Sequence, residues 1–194
     1  MFLRVLRQPA VRRSIIPTSR RFLRFNSTEA YTNAISNLKK DLKEAMSAKD
    51  EVKKTTIRSI LSTVKNEEIA NAKNDSTLNE FSLFDTFSRL ITQRMESIEN
   101  YKKNDRQDLV NNEQKELDIL KDYRAKLPVA TEDEINAKVL ALLNKLKETQ
   151  EGLKINQVMS KLDWKTIPTE WRASANSIKK SVVSQFKDVF ERMK

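Results

Sequence analysis

A single glycine, Gly152, in a chain of 194 residues limits the fold more than any other feature. Tight hairpins need backbone positions with positive φ, for which glycine is the default residue. Four prolines add little further punctuation. A sheet of many short hairpins does not suit such a sequence, whereas long helices do. A third of the residues are charged and 38% are hydrophobic, so the core must be thin. Amphipathic helices meet that condition, because each buries one stripe and wets the rest. The expected class is all-α. It comprises an N-terminal helical bundle of about four helices, then a smaller helical subdomain of about three.

The same counts exclude several kinds of chemistry. There is no histidine and no cysteine, which removes Ser-His and Cys-His nucleophiles, thiolate zinc sites and disulfides. One glycine cannot build a phosphate loop or a dinucleotide fingerprint. No cofactor and no metal are expected. An enzyme would have to work with Asp, Glu, Lys, Tyr, Ser and Thr, and no constellation of these marks one.

A formal charge of +10 invites a nucleic-acid reading, but the charge is unevenly placed. Residues 1–25 hold seven arginines, no lysine and no acid. That Arg-rich, acid-free composition, with Phe2, Leu3, Val5 and Leu6 near its start, predicts a mitochondrial transit peptide over 1–25. The mature protein is then expected in the matrix. A basic arm for nucleic acid or anionic lipid is the alternative. Residues 27–127 carry 18 basic and 18 acidic side chains and are neutral. Residues 128–194 carry 12 and nine, so the remaining positive charge lies there.

Apolar spacing predicts a first helix over about 28–48, with Ile35, Leu38, Leu42 and Met46 on one face, and a second over about 52–73, with Ile57, Ile60, Leu61 and Val64. A third, over about 78–103, lines up Phe84, Phe87, Ile91, Met95 and Ile98. Asn104 suits a left-handed position after it, and Asp105 with Asp108 would open a fourth helix over about 106–126 that buries Leu109, Leu117, Leu120 and Leu127. Pro128 closes this body, 27–127. In the subdomain 128–194, Thr131 and Glu134 form a capping box for a fifth helix ended by Gly152. A short helix near 154–163 follows, then an irregular link through Trp164, Pro168 and Trp171. The last helix, over about 174–193, aligns Ile178, Val182, Phe186, Val189 and Met193.

Three stretches give this helix order a more specific meaning: LKKDLKEAMSAKDE (38–51), TIRSILSTVKNEEIANAK (56–73) and QRMESIENYKKNDRQDLVNNEQKELDIL (93–120). In order and spacing they resemble the YqeY family, which shares a domain with the tail of the B subunit of the tRNA-dependent amidotransferase. The motif positions include Arg58, Lys65, Glu67, Glu68, Arg94 and Arg106. Beyond Pro128 the likeness is one of helix order. The basic presequence and the link LDWKTIPTEW (162–171) are most similar to a fungal mitochondrial branch of the family. The family usually has glycine where this chain has Asn104, and WRASANSIKK (171–180) replaces glycines and basic residues before its last helix.

The resemblance implies a helical module associated with tRNA or with amidotransferase subunits. It groups the chain with carbon–nitrogen ligases that use glutamine as amide donor. The residues supply no ATP cradle, metal cluster or ammonia-generating nucleophile for that chemistry. Glu67, Glu68, Glu96 and Glu99 could be read as a carboxylate cluster. The simpler expectation is that Glu68 and Arg94, each interrupting an apolar stripe, pair across adjacent helices. Lys161, Lys165, Arg172, Lys179 and Lys180, with Trp164 and Trp171 among them, form a candidate RNA surface. Against that reading, both indoles could instead plug a small core. A protein-interaction module of the matrix without RNA is the other function expected.

Overall fold

The computed structural model describes residues 27–72, 77–149 and 153–190. The transit peptide expected over 1–25, Gly152, Met193 and most of the 73–77 loop lie outside the described residues. The described residues form helices α1 (Glu29–Ser47), α2 (Glu51–Ala72), α3 (Glu80–Lys103), α4 (Gln107–Ala125), α5 (Glu132–Thr149), α6 (Ile155–Lys161), α7 (Ile167–Trp171) and α8 (Ala175–Phe190). Among those residues there is no strand, only one isolated bridge between Ser27 and Leu78. The protein is all-α.

Local chemistry sets most of the helix starts. The Thr28 hydroxyl accepts the Tyr31 N–H at α1, and Asn79 with Ser82 closes a capping box at α3. Thr131 and Glu134 form the expected box at α5, each bond 3.3 Å. The link after α6 is more regular than expected, because Pro168 occupies the first turn of a short helix, α7, where a missing N–H costs nothing.

The buried apolar side chains fall into two clusters. The first is built on α1–α4 around Leu38, Ile57, Ile60, Leu83, Phe87 and Leu120. The second is built on α5, α6 and α8 around Val139, Leu143, Val158, Ile178 and Val182. Met46 and Met95, expected on apolar stripes, are each 51% exposed. Met46 sits in the last turn of α1, whereas Met95 is exposed although Ile91 and Ile98, on either side of it along the stripe of α3, are buried.

The α3–α4 turn also differs from expectation. Asn104 stays at φ −102°, and the left-handed residue is Asp105 at φ 53°. The turn closes by returning the Arg106 N–H to the Tyr101 carbonyl at 3.0 Å. Asp105 does not start α4: Arg106 is the N-cap and makes no side-chain cap. Asp108 does not complete a capping box, since its carboxylate accepts two bonds from the Arg106 guanidinium at 3.1 and 3.0 Å.

Candidate functional site

The motif residues of the bundle are tied to structural partners. Arg94 on α3 does not meet Glu68. Its Nη1 donates to Glu113 Oε2 at 3.0 Å, and its Nη2 lies 2.7 Å from Glu116 Oε2, both on α4. No N–H is aimed at that Glu116 oxygen, so the attraction there is of charge rather than an aligned hydrogen bond. One guanidinium thus serves two largely buried carboxylates. Burial, opposed by Arg94 and reinforced by Glu113, raises the Glu116 pKa above the usual carboxylate range. The sequence carried a charge in each stripe without singling out which carboxylate Arg94 would meet. Glu113 interrupts the Val110–Leu117–Leu120 stripe on α4 as Arg94 interrupts its own, at a similar distance from the turn.

Glu68 instead accepts the Tyr31 hydroxyl at 3.0 Å and the Lys65 ammonium at 2.9 Å. Burial first, and then the Glu68 charge, pushes the Tyr31 hydroxyl pKa up. Glu67 accepts from Thr86 and from Arg89. Arg58 is exposed on α2, its Nη2 4.0 Å from Met46 Sδ. Arg106 is exposed and engaged with Asp108, which it holds below the usual carboxylate range. Glu67 and Glu68 are thus held by neighbouring hydroxyls and cations rather than converging on one point. Among the described residues no set of three or more Asp or Glu could hold a metal ion.

Two concave features remain. A cleft of about 620 Å3 opens between α1 and the end of α4, where Asn33, Asn37 and Asp41 face Tyr123 and Lys126 over Phe87. Tyr123 is buried and donates to Asp41 Oδ2 at 2.7 Å. Burial and then that bond raise the Tyr123 pKa. The Tyr123 ring stacks on Phe87 at 6.4 Å, with Lys126 Nζ 5.3 Å from its centroid. Sequence reading missed this cleft, because Asn33, Asn37 and Asp41 look like an ordinary solvated face until α4 stands opposite. The second cleft lies where Trp171 and Arg172 approach the start of α5.

The candidate RNA residues are all exposed, but they do not form one row. Lys179 lies over the Trp164 ring, 5.0 Å from its centroid. Lys165 follows that indole directly, and its N–H, ahead of the Thr166 hydroxyl, lowers the Asp163 pKa. Lys161 ends α6 and Lys180 neighbours Lys179 on α8. Arg172 is turned away to the 128–131 link. Both indoles are half-buried against the second core, and Trp164 Nε1 donates to the Met159 carbonyl at 2.9 Å. They act as partly exposed packing.

The family model described as Yqey-like protein matches residues 35–185, which spans most of α1 through most of α8. The chain belongs to this YqeY-like family. The match runs well past Pro128, where the motifs read from the sequence had thinned to helix order. Curated relatives are similar over nearly their whole length. "Altered inheritance of mitochondria protein 41, mitochondrial" of Lachancea thermotolerans is 52% identical over 84% of this chain and 87% of its own. The protein of that name from Kluyveromyces lactis is 47% identical over 94% and 97%. That from Saccharomyces cerevisiae strain YJM789 is 47% identical over 92% and 97%. All three are named as mitochondrial proteins.

Proposed function

We propose that this YqeY-like protein is a mitochondrial matrix module that binds tRNA, or an amidotransferase subunit holding tRNA, and contributes no catalytic group of its own. The observation that carries this reading is the placement of charge. The α1–α4 body is neutral, while 128–194 keeps a surplus of three positive charges. Lys161, Lys165, Lys179 and Lys180 are exposed there, with Lys179 over the Trp164 ring. Ammonium groups neutralise phosphates, which gives this half of the chain a means of holding an RNA backbone. Kinship with the amidotransferase tail supports the choice of tRNA over other RNA, and the family grouping with glutamine-dependent carbon–nitrogen ligases supports an amidotransferase subunit as the other partner.

The test is tRNA binding measured across a salt series. With three to four phosphate contacts, affinity should fall by roughly 30-fold to 100-fold between 50 and 200 mM salt. Lys179→Glu/Lys180→Glu should weaken binding at least about 10-fold and flatten the salt slope. Binding insensitive to both salt and charge reversal would remove this reading.

A second reading, a protein-interaction module without RNA, is favoured by the α1–α4 cleft, whose mixed polar rim and Phe87 floor suit a polypeptide segment. Capture of protein partners from mitochondria with no enriched tRNA would select it.

A further inference from the structure

The link between the two cores is gripped by one residue. The Ala130 N–H donates to the Arg172 carbonyl at 2.7 Å, and the Arg172 guanidinium donates to the Pro128 carbonyl at 3.3 Å. These bonds hold the end of α7 near the start of α5 and leave a cleft of about 510 Å3 between them. One wall carries Thr131, Glu134 and Lys138; the other carries Trp171 and Arg172. Glu134 is occupied by its capping bond to the Thr131 N–H at 3.3 Å. The cleft therefore sets two cations against one engaged carboxylate, beside a half-buried indole.

That combination has a definite chemistry. A guanidinium offers five N–H donors in a plane, and the long bond to Pro128 uses one of them. The others, with an ammonium opposite, match the oxygens of a phosphate. An indole face gives a flat ring something to stack on, at little cost in order. The volume lies within the range of sites that hold small ligands. We propose that this cleft binds a nucleotide, free or at the end of an RNA strand, with the phosphate between Arg172 and Lys138 and the base against Trp171. The site needs neither tRNA nor the lysines around Trp164.

Arg172 also provides a clean probe. Its backbone is left-handed, at φ 53° and ψ 45°, so Arg172→Gly removes the guanidinium in a conformation that glycine prefers. The experiment titrates AMP into the 15N-labelled full chain and follows the two indole N–H signals separately. AMP should move the Trp171 signal and leave that of Trp164 in place. Arg172→Gly and Lys138→Gln should each weaken AMP at least about 10-fold, while Lys179→Glu/Lys180→Glu should leave it unchanged. Inorganic phosphate should compete, but more weakly than AMP. Competition by a 5′-phosphorylated oligoribonucleotide supports the site and extends it to strand ends; AMP binding without such competition supports it for free nucleotide. The proposal is overturned by a silent Trp171 signal at about 10 mM AMP, by phosphate binding as tightly as AMP, or by affinity that survives either cleft substitution. AMP binding in a protein that ignores tRNA keeps this site and removes the tRNA reading.

Discussion

Arg94 balances one charge against two. Removing it leaves Glu113 and Glu116, with side chains only 16% and 17% exposed, to repel each other inside the α3–α4 contact. Arg94→Met should therefore destabilise the protein by about 3 kcal/mol in urea unfolding at pH 7. Glu116→Gln should act in the opposite direction, because it removes the surplus buried charge and leaves Glu113 paired. The pH dependence follows from the raised Glu116 pKa. A carboxyl that binds its proton more tightly when folded adds stability fully below its ordinary value of 4.5, and that stability is lost as pH rises through the folded value. Unfolding followed from pH 4.5 to 7 should show this decline in the native chain and its absence in Glu116→Gln. An unchanged slope would mean that Glu116 is ionised across the range. The existence of a charge in each stripe was legible in the sequence. The partner was not, since Glu68 and Glu113 both interrupt stripes and only the α3–α4 register brings one of them to Arg94.

At the scale of the element, α4 begins poorly. Its N-cap is Arg106, which has no oxygen to accept a first-turn N–H and carries a positive charge at the positive end of the helix. Its solvent-exposed pair with Asp108 repays little of that, since water and salt screen such a pair. Arg106→Ser should therefore stabilise the protein by about 1 kcal/mol, read as a rise in Tm. A fall in Tm would show that the Arg106–Asp108 pair outweighs the missing cap. The capping box at α5 was readable because its parts, Thr131 and Glu134, lie within one turn. The left-handed position in the α3–α4 turn was read one residue early, because it depends on which carbonyl of α3 the returning Arg106 N–H finds.

At the scale of the molecule, the two hydrophobic clusters share no member. Among the described residues one polar tie besides the Arg172 grip is the Asn176 side-chain amide, which donates to Asp85 at 2.8 Å. Residues 27–130 expressed alone should keep a helical circular-dichroism spectrum and a cooperative urea transition. A non-cooperative loss of signal would show that the first core depends on the second. The order of the helices other than α7, and most of the stripes of both clusters, were legible from spacing. The two clefts were not, because each is made by elements distant in sequence, and concavity leaves no mark on either strip of residues alone.

The scarcity of glycine that shapes this fold also leaves room for design. Lys49, Asp105 and Arg172 all take left-handed backbone at φ 57°, 53° and 53°. A side chain with a Cβ is strained there, and glycine relieves the strain at a smaller cost in unfolded-state freedom. Lys49→Gly should gain about 0.5 to 1 kcal/mol, measurable as a higher urea midpoint. The chain thus sits below the stability its own backbone permits, and the α1–α2 turn is a place to raise it while leaving both clefts and the lysines around Trp164 as they are.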